Sequence, residues 1–230
     1  MRINKYLAKS GLASRRASEK YILEGRVKVN GIVLENLAYR VQAEDVITVD
    51  DNVVHLEEEL VYFMLNKPVG YVSTQKDPFA KKIIFDLIDE KTRLFSIGRL
   101  DKDSRGLLLL TNDGQLYQHL MHPSQQIFKH YQVRLNKEFK LEHKSILENG
   151  IDIGDYITNP AKIRVQDDKK DVIISISEGK NRQVRRMFAA LTYQVVDLNR
   201  LAIEDLKLGS LSQGDYRPLT QDEVEYLYNL

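Results

Sequence analysis

The 230-residue chain contains no cysteine. That excludes disulfides and thiol chemistry, and it is compatible with a reducing cytosol. The start, Met1-Arg-Ile-Asn-Lys-Tyr6, lacks the apolar stretch of a secretory signal. No apolar run approaches the ~20 residues needed to cross a bilayer. Neither a glycine-rich dinucleotide fingerprint nor a P-loop is present. His119 and His122 have the spacing of some metal pairs, but no cysteine and no repeated carboxylate accompany them, so they are read as surface or packing residues and no metal is expected. These absences lead to the expectation of a soluble, cytoplasmic protein with no membrane partner, a monomer by default.

Charge is present in both signs and unevenly placed. The formal net charge is +1. Residues 1–40 carry nine basic and three acidic residues, so that a head of +6 precedes a body of −5. Such a division suggests two domains, with the head meeting a polyanion. A solvated positive face is the plainer alternative.

In the head, Ile3, Leu7 and Ala8 are spaced for a short helix that Ser10-Gly11 ends. Ser14 suits the N-cap of a second helix running to about Glu24, with Ala17, Tyr21 and Ile22 inward and Gly25 at the stop. Asn30-Gly31 between β-branched residues signals a hairpin, and Val46–Val49 reads as another strand. Arg2, Lys5, Lys9, Arg15, Arg16 and Lys20 would lie on the outer helical faces, spaced to follow a phosphate backbone. The acidic stretch 50–59 reads as an interdomain connection. The expected domains are 1–58 and 59–230.

The body reads as mixed α and β with antiparallel strands more favoured than a βαβ series. Leu60–Leu65 is a compact apolar strand, and Lys67 stands at its end, where it could meet a phosphate. The apolar run Leu107–Leu110 reads as buried and ends at the turn signal Asn112-Asp113-Gly114. Before it lies a polar loop, Gly98–Gly106, in which a carboxylate, Asp101, sits between Arg99 and Arg105. Loops held by rigid strands often carry chemistry. Phe128–Leu135 alternates as a strand with Tyr131, Val133 and Leu135 inward, and Leu141–Asn149 reads as a helix closed by Gly150. Strands are read at Ala161–Val165, Asp171–Ser177, Val195–Leu198 and Leu206–Leu208. Residues 178–191 read as a glycine loop opening a helix that bears Lys180, Arg182, Arg185 and Arg186. Cations are disfavoured at a helix start, so these require a phosphate or a carboxylate partner. Thr220-Gln-Asp-Glu223 is a capping box for a last helix presenting Val224, Leu227 and Tyr228 on one face.

The first 31 residues, with Ser14-Arg-Arg16 and Gly25-Arg-Val-Lys-Val-Asn-Gly31 as the distinctive pieces, closely resemble the S4 RNA-binding domain. That resemblance implies binding of structured RNA through backbone and shape. The stretch Gly98–Gly114, with Tyr62–Gly70, Lys129-His-Tyr131 and Glu178–Met187, is similar to the signature of the RsuA/RluB/RluE/RluF family of pseudouridine synthases. The segments stand in that family's order and span nearly the whole chain.

The resemblance implies an α+β fold: a small N-terminal S4-type domain, then a mixed, mainly antiparallel catalytic domain. It implies isomerisation of uridine to pseudouridine in ribosomal RNA, or in a ribosomal assembly intermediate, without cofactor or metal. By this similarity Asp101 is the catalytic carboxylate, Tyr131 the aromatic that stacks on the target base, and Arg185 the basic residue that pairs with the aspartate. By the same similarity Arg99 helps hold the opened RNA; Lys67, Lys180, Arg182 and Arg186 are expected as further RNA contacts because each is a cation that could meet a phosphate. Lys180-Asn-Arg182 departs from the Arg-x-His of some members. Asp103 is expected to be structural or solvated.

The required chemistry agrees with a single carboxylate. The N1–C1′ bond must break, the uracil must turn and rejoin through C5, and the nucleotide must leave its helix first, at ~ a few kcal/mol. Asp101 would act as a nucleophile or as a base at C2′. Two-carboxylate glycoside hydrolysis fits less well. Arg2–Tyr6 and Ile97–Ser104 look more like RluF-type enzymes of large-subunit RNA; Met64–Pro68 and Met187–Ala190 look more like RsuA. The second group lies nearer the site, so small-subunit (16S) RNA is the preferred expectation and large-subunit (23S) RNA the alternative. A non-catalytic RNA-binding assembly factor is the alternative of another class.

Overall fold

Helix α1 (Ile3–Lys9) forms where Ile3 and Leu7 recur at a four-residue interval, and both are fully buried. Helix α2 (Arg15–Leu23) begins at Ser14, whose hydroxyl accepts from the Ala17 amide at 3.2 Å. Its buried positions are Ser18 and Ile22, while Ala17 and Tyr21 are only partly covered. The expected inward face is thus rotated towards Ser18, whose hydroxyl donates to the Ser14 carbonyl. Strands β1 (Val27–Val29) and β2 (Ile32–Val33) are joined by Asn30 at φ 52° and Gly31 at φ 82°. Two positive φ values in succession match the twist of a tight hairpin. Strands β3 (Ile47–Val49) and β4 (Asn52–Val53) complete a sheet in the order β2-β1-β3-β4.

β4 corrects the reading of residues 50–59 as a connection from their start. Asp50 and Asp51 form a turn, and their carboxylates hold Arg26, which precedes β1, and Lys28 within it. The acidity serves the sheet's own cations. Ile3, Leu7, Ile22, Val27, Ile47 and Val49 lie in the common core.

The computed structural model describes residues 1–230 other than Glu58, Lys76 and Pro123. It divides into two units, the first comprising Met1–Val61 with Glu90–Leu94 and Asn112–Gly114, the second the remainder. The stop expected at Pro123, after a short helix through Leu116, His119 and Leu120, lies outside the described residues.

The second unit is built on one sheet. Its strands are β5 (Tyr62–Lys67), β6 (Phe95–Ile97), β7 (Arg105–Thr111), β8 (Lys129–Leu135), β9 (Lys162–Val165), β10 (Asp171–Ile176), β11 (Val195–Ile203), β12 (Leu206–Lys207) and β13 (Tyr216–Pro218). The order is β13-β5-β7-β11-β8-β10-β9, with β6 on β7 and β12 on β11. Among the described residues every strand pairing of this sheet is antiparallel except β7 with β11. β11 is longer than the four residues the sequence suggested, because it crosses the middle of the sheet and is paired on both sides. Leu107, Leu108, Leu109 and Leu110 are all buried, as an apolar run on a central strand covered on both faces requires.

Helices α3 (Gly114–Met121), α4 (Glu142–Glu148), α5 (Gln183–Ala190) and α6 (Gln221–Tyr228) flank the strands. Leu116 and Leu120 of α3 and Leu227 of α6 join Met64, Leu107, Leu109 and Ile203 in one cluster. Phe139, His143, Phe188 and Tyr193 make a second, aromatic packing group with centroids 5.5–6.4 Å apart. α6 has the anticipated capping box, with Thr220 accepting from Glu223 and returning the bond. Val224 and Leu227 are buried, but Tyr228 points outward. Among the described residues no helix is long and apolar enough to cross a membrane.

Candidate active site

Five consecutive carbonyls, Leu100 through Ser104, each accept a hydrogen bond from outside the loop. The Ser73 hydroxyl donates to Leu100 at 2.8 Å and accepts from the Leu100 amide at 3.2 Å. Lys67 Nζ donates to Asp101 at 3.0 Å and to Ser104 at 2.8 Å. The Gly70 amide donates to Lys102 at 2.7 Å, and Arg185 Nη2 to Asp103 at 2.6 Å. Within the loop, the Ser104 amide closes a turn on the Asp101 carbonyl at 3.0 Å. The backbone carrying Asp101 is thus fixed at every carbonyl, while its side chain is left partly exposed. Preorganisation of this kind holds a reacting group in place.

Lys67 is a correction to the sequence reading. It is 0% exposed and its three donors go to the carbonyls of Pro68, Asp101 and Ser104. An ammonium so enclosed has no donor left for an RNA phosphate. Burial pushes its pKa down to about 8, against the attraction of Asp101 and Asp103 and with the repulsion of Arg200. No sequence signal marked it as buried, because a lysine at a strand end is ordinarily solvated.

Arg185 is a second correction. The resemblance implies a pairing with Asp101, yet among the described residues Arg185 makes no hydrogen bond or ion pair with that residue. Nη1 donates to the Val195 carbonyl at 2.9 Å, Nη2 to the Asp103 carbonyl, and Nε lies 3.4 Å from an Asp103 carboxylate oxygen. Arg185 therefore clasps the loop and leaves the Asp101 carboxylate unpaired by an arginine. Asp103, expected to be structural or solvated, is structural: it receives both Arg182 Nη1 at 2.9 Å and Nη2 at 2.7 Å. That fork holds its carboxyl below the usual range.

Lys180 and Arg182 precede α5; Arg182 is its N-cap at φ 49°. Of the two explanations for cations at this helix start, the carboxylate one accounts for Arg182, Arg185 and Arg186. Arg186 pairs with Asp155 and donates to the Ile153 carbonyl. Lys180 is exposed and lies 5.8 Å from the Tyr156 ring. Arg99 is also exposed.

Tyr131 lies on β8 and is 8% exposed, with Val133 and Leu135 buried beside it on the same face. Its register links it to the loop. Lys67 pairs with Gly106 across β5 and β7, Gly106 with Arg200 across β7 and β11, and Arg200 with Tyr131 across β11 and β8. Cross-strand partners point to one side of a sheet, so Lys67, Arg200 and Tyr131 share a face. Gly106, at φ +107°, makes room at the centre: a Cβ there would stand 2.3 Å from the Arg200 carbonyl oxygen. Sequence reasoning missed Ser73, Gly106 and Arg200, whose importance comes from pairing distant in sequence. Among the described residues no group of three His, Asp or Glu side chains stands together as a metal cluster would.

In the head, Arg2, Lys5, Arg15, Arg16 and Lys20 are exposed and Lys9 is partly so. Lys20 lies 3.5 Å from Glu24.

A sheet bearing a loop-borne aspartate, in a chain that also carries a small two-helix domain rich in outward cations, describes an RNA-modifying class of protein. Comparison with known proteins makes this definite. The family model described as RNA pseudouridylate synthase matches residues 61–190, and that of the S4 domain matches residues 1–47. The chain belongs to the RNA pseudouridylate synthase family; it is a pseudouridine synthase with an N-terminal S4 domain. It is 43% identical to ribosomal large subunit pseudouridine synthase B of Bacillus subtilis (strain 168), covering 98% of this chain and 95% of that one. It is 39% identical to ribosomal small subunit pseudouridine synthase A of Haemophilus influenzae (strain ATCC 51907 / DSM 11121 / KW20 / Rd), covering 99% of each. A crystal structure of a pseudouridylate synthase superposes with a TM-score of 0.73 at 38% identity, over 99% of both chains.

Proposed function

We propose that this protein isomerises a uridine of ribosomal RNA to pseudouridine, with Asp101 as the catalytic carboxylate. The observation that carries the assignment is the loop held at all five carbonyls from Leu100 to Ser104, which presents Asp101 and constrains everything around it. Tyr131 would stack on the extruded base from the same sheet face. Arg185 acts on the loop rather than on the carboxylate. Arg2, Lys5, Lys9, Arg15, Arg16 and Lys20 would meet the RNA backbone from the S4 domain. Arg99 and Lys180 would do so near the site, as would Arg182 and Arg186 after leaving their carboxylates.

The names of the relatives support ribosomal RNA as substrate and include both subunits, so the preference for the small subunit gains no support from them. The test is tritium release from RNA labelled at uridine C5, with wild type and Asp101→Asn on both ribosomal RNAs and on assembly intermediates. C5 must surrender its hydrogen when the C1′–C5 bond forms. Release by wild type alone, with a loss of ~10³-fold or more in the variant, is expected. The responding RNA identifies the subunit. No release from any substrate, with binding retained, would instead mark a non-catalytic binding factor.

A further inference from the structure

We infer that Arg200 is a positioning residue of the isomerisation, a buried guanidinium whose charge stabilises the uracil while it is detached from its ribose. The inference rests on the proposed reaction at Asp101 and adds a residue to it.

Arg200 occupies the centre of the register row that runs from Lys67 through Gly106 to Tyr131. It is 4% exposed. Nε donates to the Leu107 carbonyl at 2.6 Å, which ties β11 to the strand that leaves the catalytic loop. Nη2 is buried without a hydrogen-bond partner, and among the described residues no carboxylate forms an ion pair with Arg200. A buried arginine is ordinarily paired, since taking an ion out of water costs several kcal/mol. Gly106, opposite it, has no side chain where a Cβ would meet the Arg200 main chain and Asn199 Oδ1, so β7 and β11 approach closely at this point of the row.

The neighbouring charges do not cancel it. Lys67 lies on the same row and is itself a cation; Lys129, from β8, feels the repulsion of Arg200 as Lys67 does. The anions near Lys67 are Asp101 and Asp103, and Asp103 is taken up by Arg182 and Arg185. Glu204 faces Lys129 and accepts from the Phe128 amide. The Tyr131 side of the sheet therefore holds more positive than negative charge close to the place where the base is to be received.

The reaction needs such a field. When N1–C1′ breaks, its electron pair stays with the uracil, whose ring then carries negative charge. The pair at C5 forms the bond to C1′, C5 gives up its proton, and N1 takes one, so the net change is an isomerisation without oxidant or reductant. Fixed positive charge that needs no rearrangement is most effective where negative charge develops. Arg200 acts through this field and through its hold on Leu107.

The experiment compares wild type, Arg200→Lys and Arg200→Gln in single-turnover C5-tritium release at saturating RNA. RNA affinity is measured separately, folding by circular dichroism, and the Lys67 pKa by NMR of labelled lysine. Removing the charge should slow turnover by ~10²-fold or more with affinity within about threefold, and should raise the Lys67 pKa by removing a like charge. Lysine keeps the charge without the fork and should fall between, about 10-fold slow. If the glutamine variant fails to fold, the lysine variant carries the same comparison. Turnover within threefold of wild type in a folded variant, or a loss confined to affinity, would overturn the inference. Absence of tritium release from wild type itself would instead overturn the reaction assigned above.

Discussion

Lys67 and Asp101 are joined by a hydrogen bond from a fully buried ammonium to a backbone carbonyl, 3.0 Å long, rather than by an ion pair between side chains. The distinction determines what each residue does. Lys67 holds the main chain of the loop through Asp101 and Ser104, and the carboxylate of Asp101 remains available.

Lys67→Met should therefore act first on stability. Three carbonyls lose their donor in a closed site, at a cost of roughly 2–4 kcal/mol; urea titration at pH 7 measures it. The pH dependence has a definite sign. The folded pKa of about 8 lies below the ordinary 10.5, so the unfolded chain binds more protons between these values. The stability contributed by Lys67 must rise with pH across that window. Wild type should gain on Lys67→Met between pH 8 and 10.5, and parallel curves there would refute the assignment.

Gly106→Ala should be severe although it adds one methyl group. The backbone is at φ +107°, and the new Cβ would lie 2.3 Å from the Arg200 carbonyl oxygen and 2.6 Å from its nitrogen. Strain and overlap with backbone together should cost about 3 kcal/mol or more, seen as a lowered urea midpoint or an insoluble protein. A near-neutral result would mean that β7 and β11 are not paired so closely at this point.

Asp103→Asn tests the clasp on the loop. Its hydrogen bonds from Arg182 lower the carboxyl pKa in the folded state, so the stabilisation is present above the unfolded value and is lost as pH falls through the folded one. The pair is about half exposed, so its contribution is ~1 kcal/mol or less. Denaturant midpoints should separate near neutrality and converge in acid. A separation that persists at low pH would show that Asp103 acts by packing rather than charge.

Much of this was legible in advance where the signal is local. Ser14 as a cap, Asn30-Gly31 as a hairpin turn and the capping box at Thr220 follow from hydrogen bonds or φ values that neighbouring residues supply. Tyr131 inward on β8 follows from a two-residue period. The loop at Asp101 was marked by its polar residues ahead of an apolar run. The head's short strand β4 was hidden because its two residues, Asn52 and Val53, carry no alternation long enough to read.

The partners of the site were decided by tertiary structure alone. Lys67 and Asp101 are 34 residues apart, Asp103 and Arg182 are 79 apart, and Gly106 meets Arg200 through the parallel pairing in the middle of the sheet. Sequence can show that an arginine at a helix start needs an anion, but not whether Asp101 or Asp103 supplies it, since two positions in a turn differ only in direction. It can show a lysine beside a strand, but not that the loop folds over it. The sequence by itself determined the two-part architecture through its charge distribution and periodicity, and its resemblance to a known family singled out Asp101 as the proposed carboxylate, because a contiguous motif is readable without the fold. Which cation holds the loop, and which lies buried beneath it, depended on strand order and register, which bring together residues that no local pattern connects.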